Sequence, residues 1–95
     1  MWVGMVIGTL VATPKDDSLT GSKLLIVRPI ELISKERRSP VVAVDTIGAG
    51  TGETVLVVEG SSARHVIGNP QAAVDAAIVG IIDSIEINKD LLGSN

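Results

Sequence analysis

Ser61 and Ser62 precede His65, the only histidine of the chain, by four and three residues, and Asp45, Asp75 and Asp83 occur elsewhere in the sequence. These are the residue types of a Ser-His-Asp hydrolase: a hydroxyl nucleophile, an imidazole base and a carboxylate that orients it. The surrounding pattern argues against that chemistry. A nucleophile elbow needs a G-x-S-x-G turn, whereas these serines stand in Gly60-Ser61-Ser62-Ala63-Arg64 with no second glycine. A serine pair opening a helical turn serves more simply as an N-cap, so Ser61 or Ser62 is expected to cap one or two helical turns over 61–68. His65 has no second His or Cys with which to build a metal site. No catalytic, metal or cofactor residue is assigned.

The run Gly48-Ala49-Gly50-Thr51-Gly52 has the look of a nucleotide loop, but its glycines follow G-x-G-x-G and not G-x-G-x-x-G. It joins two strand-like runs, so no helix N-terminus follows to hold a phosphate, and the Walker lysine is missing. Its glycines are expected to supply positive φ and close packing in a tight connection. Asp16 and Asp17 sit in a polar loop, without the burial that tunes a general acid or base. Lys35, Arg37 and Arg38 read as a solvated loop tip. Arg64, just after an apolar strand, has a fork suited to a carboxylate or a subunit contact; the alternative is a solvated side chain, and the sequence leaves both open.

The elements that must position these residues are short and apolar. Ninety-five residues make one domain, near the lower limit for a self-sufficient core. There is no Phe or Tyr and one Trp, so the core is built from small aliphatic side chains and some apolar surface is expected to meet other subunits. A net charge of −3 and a single aromatic exclude nucleic acid, which requires clustered cations and stacking platforms. The absence of cysteine removes thiolate sites and fits a reducing cytoplasm. The longest apolar run, 76–82, is too short to span a membrane, and the N-terminus lacks the basic start of a signal peptide.

Hydrophobic residues alternate with a period of two. Strands are expected over 2–13, 23–30, 41–45, 53–59 and 77–87. Neither face of the first is polar, so it should be covered on both sides, and Gly4 and Gly8 share a face that implies close backbone approach. Pro29 marks an edge or bulge near the end of the second. Residues 13–23 form a polar connection, 34–40 an exposed hairpin tip, 69–77 a turn entering a short helical piece or the last strand, and the tail is loose or lent to a neighbour. The fold class is all-β with one short helix: a five-stranded, OB-like β-barrel, compact and partly closed. Residues 1–88 form the single domain and 89–95 the tail. An OB-like binding module is the alternative function, as is a hydrolase using Ser61 or Ser62 with His65.

Three segments, "GTLVATPKDDSLTGSKLLIV" at 8–27, "AVDTIGAGTGETVLVVEGSSARH" at 43–65 and "VDAAIVGIIDSIEI" at 74–87, together resemble the EutN/CcmL family of bacterial microcompartment vertex proteins. The resemblance covers most of the chain in order and leaves 28–42 and the tail as variable segments. It implies a non-catalytic, OB-like barrel that assembles as a homopentamer and caps the five-fold vertices of a polyhedral shell in the cytoplasm. The shell's flat facets would be hexameric proteins, the chain's expected partners. Family members serve carboxysomes and catabolic compartments, and the compartment of this chain is not legible. A head-to-tail ring closes only at the right rotation per subunit; sequence alone leaves five against six open, and the resemblance implies five. Gly48, Ala49, Gly50, Thr51, Gly52, Ser61, Ser62 and Arg64 are the expected interface or pore residues, with an intra-subunit turn as the equal alternative for the glycine loop. The 13–18 loop is its rival as a pore lining.

Overall fold

The fold is taken from a computed structural model, which describes residues 1–11, 23–32, 38–68 and 74–91. The expectations placed on Ala12, Thr13, Asp16, Asp17, Lys35, Arg37, the 13–22 loop, residues 69–73 and residues 92–95 lie outside them.

Five strands and one helix follow in the order β1 (Trp2–Leu10), β2 (Lys23–Pro29), β3 (Val41–Asp45), β4 (Thr54–Glu59), α1 (Gly60–Ile67) and β5 (Ala76–Ile81). The strands close into a barrel in the order β1-β2-β3-β5-β4. All pairings are antiparallel except β3 with β5, which is parallel and joins Val44 to Ala77 and Asp45 to Ile78. The barrel is thus closed and mixed, where the sequence predicts one that is partly closed. Closure hides the backbone edges that an open sheet would leave available for pairing.

Alternation explains which side chains fill it. On β1, Gly4 and Val6 point inward and are buried, while Ile7 on the opposite face is 45% exposed. Among the described residues, the outer face of β1 is therefore covered only in part, at Val3 and Met5. The core consists of Val6, Leu25, Val27, Ala43, Ala49, Val55, Val57, Ala76 and Ile78, with Trp2 and Val41 packed against it. Full burial of a Val, Leu or Ile side chain contributes about 1.5–3 kcal/mol, so this small interior holds the barrel by number rather than by large rings. β5 is buried on both faces: Ala77 turns outward to meet Val58 and Ala63, which seats α1 on the barrel wall.

Gly4 is where the close approach inferred from sequence is found. A Cβ there would lie 2.5 Å from Val27 Cγ1, 2.8 Å from Trp2 Cζ3 and 3.0 Å from the Arg28 carbonyl oxygen. At Gly8 the nearest atom would be Ile26 Cδ1 at 3.7 Å, an ordinary contact, so the inference does not extend to it. A bulge between Val6 and Gly8 shifts the register against β2 and bends the strand there. Pro29 ends β2 opposite Gly4, beyond the last β3 pair at Val27 and Val41, where its missing N–H breaks no ladder.

Against the expected ranges, β2 and β4 are each one residue shorter and β1 ends at Leu10. The end of β5 and the start of the helix differ for identifiable reasons. β5 stops at Ile81, because β4 has run out: Val55 is its last partner, and the Ile82 N–H to Thr54 O bond of 2.8 Å closes the ladder. The helix begins before the serines, at Gly60, with Glu59 as N-cap and no side-chain cap bond. The Gly60 N–H is satisfied by the Asp75 carbonyl at 2.8 Å, and Gly60 takes φ 66. Ser61 and Ser62 fall inside the first turn and are exposed, so neither is the cap. Gly68 ends the helix in the left-handed region, its N–H shared between the Arg64 and His65 carbonyls.

Candidate functional site

Among the described residues, the best-organised polar group is the connection from β3 to β4, residues 46–53. It is not a hairpin. β5 lies between β3 and β4, so the loop crosses over a strand to reach its next position. Asp45, the last residue of β3, aligns with Lys23, the first of β2. Its Oδ1 accepts the N–H groups of Ile47 and Gly48, each at 3.1 Å, and its Oδ2 lies 3.3 Å from Lys23 Nζ. Lys23 Nζ also donates to the Ala49 carbonyl at 2.8 Å, which draws the fully buried Ala49 into the core. Thr46 Oγ1 donates to the Ile78 carbonyl at 2.8 Å and ties the loop to β5.

The second half closes on itself and on β1. Glu53 Oε1 accepts the Gly50 N–H at 2.6 Å, and the Glu53 N–H returns a bond to the Gly50 carbonyl at 3.1 Å. The Gly52 N–H donates to Val6 O at 2.8 Å, and the Val6 N–H to Glu53 O at 3.0 Å. Gly48 and Gly52 take φ 88 and 92, the left-handed conformation that glycine alone adopts freely. Nothing lies within 4 Å of a Cβ placed on either, so they are required for conformation and not for space within the chain.

Burial of the Asp45 carboxyl opposes ionisation, but the N–H groups of Ile47 and Ala49 and the Lys23 ammonium outweigh it and hold its pKa below 3.8. Its side chain is 1% exposed, that of Lys23 50%. The loop amides of Ile47, Gly48, Gly50 and Gly52 are thus engaged by the chain's own acceptors, beside the carboxylates of Asp45 and Glu53. A phosphate would have to displace those bonds and face two like charges.

Ser61 and His65 stand one helical turn apart on α1, both exposed. No hydrogen bond joins either serine to His65 among the described residues, and Asp45 is held by Lys23 and the loop. The hydroxyl, imidazole and carboxylate are therefore not brought together. Among the described residues no cluster of three or more His, Cys, Asp or Glu could hold a metal ion, and no helix is long and apolar enough to cross a membrane. Arg64 is half-buried and pairs with no carboxylate among the described residues, while Arg38 Nε reaches Glu31 Oε1 at 3.8 Å across the base of the β2–β3 connection. The Lys23–Asp45 pair escaped sequence reasoning. The two residues are 22 positions apart, and only the β2–β3 register aligns them.

Among the described residues, the chain is a closed barrel whose polar side chains chiefly fasten its own crossover loop. Residues 1–83 match the family described as ethanolamine utilisation protein EutN/carboxysome, and the chain belongs to this EutN/CcmL family of bacterial microcompartment shell vertex proteins. It is 49% identical over 86 residues to the shell vertex protein GrpN of Rhodospirillum rubrum, covering 90% of this chain and 97% of that one. It is 47% identical over 89 residues to the shell vertex protein PduN of Salmonella typhimurium, covering 90% and 98%. The structure of CcmL from Gloeobacter violaceus superposes with a TM-score of 0.82 at 39% identity, over 93% of this chain and 91% of that one. That of GrpN, described as a pentameric microcompartment shell protein, superposes with a TM-score of 0.77 at 45% identity, over 93% and 100%. The family is one of structural shell proteins, not enzymes, and its place is the vertex of a microcompartment shell.

Proposed function

We propose that this chain forms a homopentameric ring that caps five-fold vertices of a shell whose facets are built from hexameric shell proteins. The observation that carries the ring is the apolar outer wall: Ile7, Leu10, Val42 and Ile81 are each 37–45% exposed on barrel strands, away from the core they would otherwise join. Aliphatic strand surface of this kind drives association, and the pentameric state described for GrpN supports five as the number. Native mass spectrometry at micromolar concentration should show five copies of the 9.8 kDa chain. A folded monomer under those conditions would overturn the proposal.

Within the ring, the loop Gly48, Ala49, Gly50, Thr51 and Gly52 is proposed to border the axis or the subunit contact, and Ser61, Ser62 and Arg64 to lie at the contact. Gly50 is the informative position. Its φ is not in the left-handed region, and a Cβ there would sit 3.5 Å from Glu53 Oε1, an ordinary contact. Gly50→Val should therefore leave the circular dichroism of the barrel unchanged while abolishing rings in native mass spectra. Rings that persist at parental stability remove the loop from the contact.

Arg64→Ala should weaken the ring by about 1.5–3 kcal/mol, the magnitude of a hydrogen bond to a charged group. Arg64→Lys should recover only part of this, because a point charge cannot reproduce the planar fork. Dilution series read by light scattering measure both, and parental dissociation in the two variants would mean that Arg64 is only solvated.

A further inference from the structure

The β1–β2 ladder runs one step beyond its last strand pair. Gly4 stands opposite Pro29 and Met5 opposite Arg28, and the Ile30 N–H donates to the Val3 carbonyl at 2.9 Å. The same register places Glu31 opposite Trp2. Hydrogen-bonded and non-hydrogen-bonded pairs alternate along an antiparallel ladder, and side chains approach most closely at the latter. Pro29, with no N–H to give, occupies a non-hydrogen-bonded position and Ile30 a bonded one, so Trp2 and Glu31 fall at the close kind. Both positions belong to the inward face. Trp2 has the parity of Gly4 and Val6 and packs against the core, and Glu31 has the parity of the buried Val27 and Pro29.

An acid on the inner face of an apolar barrel calls for a partner. The Glu31 side chain is 22% exposed, and its Oε1 is buried without a hydrogen-bond donor. Arg38 Nε stands 3.8 Å from that oxygen, near enough for charge but beyond hydrogen-bond length. The Trp2 Nε1–H is likewise buried without an acceptor. Among the described residues the one other buried side-chain atom of this kind is Asp45 Oδ2, which faces the Lys23 ammonium at 3.3 Å. A buried donor or acceptor left unpaired loses its hydration with nothing in return. Here one donor and one acceptor sit on opposite members of a single cross-strand pair, and each is what the other lacks. Residues directly opposite are close enough to interact, and the Glu31 side chain has the torsional freedom to turn its carboxylate to the indole.

We propose that the Trp2 indole N–H and the Glu31 carboxylate are hydrogen-bond partners across this mouth of the barrel, with Arg38 holding the carboxylate from the other side. Trp2 lies on β1, Glu31 just after β2 and Arg38 just before β3, at the same end of three consecutive strands of the barrel. The three side chains form a clasp that joins β1 to both arms of the β2–β3 connection and sets the direction in which that connection leaves the barrel. Glu31 is its central post. A carboxylate suits the position because it accepts from the indole and from the guanidinium at once.

Trp2 is the only tryptophan, so the full-length protein gives one indole cross-peak in a proton–nitrogen correlation spectrum, and the clasp is read at its own atom. In the parent the indole hydrogen should be protected from exchange with solvent. Glu31→Ala should leave the backbone amide spectrum of the barrel in place and speed indole exchange by about ten-fold or more, as expected when a hydrogen bond to a charged group is lost. Glu31→Gln keeps a neutral acceptor and should recover part of the protection. In a double-mutant cycle of Trp2→Phe and Glu31→Ala, read by circular dichroism in urea at one protein concentration, the second substitution should cost little once the first is made. A parent indole hydrogen that exchanges like that of an unstructured tryptophan would overturn the proposal whether or not any variant folds. Unchanged protection in Glu31→Ala, or strictly additive losses in the cycle, would overturn it as well. Protection that disappears when the assembly is diluted to monomers would assign the acceptor to a second copy and overturn the clasp.

Discussion

Gly4→Ala should be among the most damaging single-methyl additions in this protein, lowering stability by about 1–3 kcal/mol, the cost of overpacking a well-filled core. The added carbon would meet Val27 Cγ1 at 2.5 Å and Trp2 Cζ3 at 2.8 Å, and the Arg28 carbonyl oxygen at 3.0 Å belongs to backbone paired with β1. Val27 is completely buried, and its β-branched side chain has few rotamers open to it. Relief therefore requires β1 and β2 to separate just where Trp2 seals the barrel. The variant is read by urea unfolding at fixed protein concentration, since assembly would make apparent stability concentration-dependent. Trp2, the only aromatic residue, makes its own fluorescence a direct reporter of this corner. Adding Val27→Ala removes the nearest clash, and the double variant should recover a measurable part of the loss, with a coupling of about 0.5–3 kcal/mol for residues in contact. A Gly4→Ala protein that unfolds like the parent would mean that the barrel end is loosely packed.

That glycine also shows what sequence can disclose. With neither face of β1 polar, the period does not say which one points inward, but the alternation puts Gly4 on the face of Trp2 and Val6 and its missing side chain signals a close approach. The same logic locates β3 fully and β4 to within one residue. It fails where structure depends on a distant partner. The pattern of β5 runs unbroken to Ile87, but its strand ends at Ile81 because β4 offers no further residue. Nothing in residues 77–87 encodes the position of Thr54. The glycine loop fails in the same way: two strands joined by a short polar run suggest a direct neighbour, and only the insertion of β5 between them makes the connection a crossover. At the helix, Ser61 and Ser62 carry the capping chemistry, but the Asp75 carbonyl reaches Gly60 first and starts the helix one residue earlier. A contact made by the backbone of a later segment outweighs a local side-chain preference.

Among the described residues no catalytic constellation is brought together. Aliphatic side chains and Ala49 make up the buried interior of the barrel. The polar groups of the β3–β4 connection fix its geometry, and aliphatic side chains stand exposed on the outer strand faces. Within the subunit, those bonds give the β3–β4 crossover loop its rigidity.

Asp45 is the residue on which that rigidity rests, and its removal should be visible in a pH profile. Its carboxylate is the acceptor for the Ile47 and Gly48 N–H groups and the counter-charge for Lys23, which in turn holds the Ala49 carbonyl. Asp45→Ala should cost about 1.5 kcal/mol, the lower end for hydrogen bonds to a charged group, because water can reach the exposed amides. Asp45→Asn keeps an acceptor and should cost less at neutral pH. Acidification separates the two contributions. A carboxyl whose folded pKa lies below its ordinary 3.8 contributes stability that is fully present above 3.8 and is lost as pH falls through the folded value. The parent should therefore lose this contribution only below about pH 4, while Asp45→Asn, having no proton to take up there, should show a flatter acid limb. Urea midpoints at pH 7, 5, 4 and 3, at one protein concentration, measure the difference. If the two proteins lose stability in parallel on acidification, the Asp45 carboxylate does not fasten the loop, and Lys23 holds Ala49 without it.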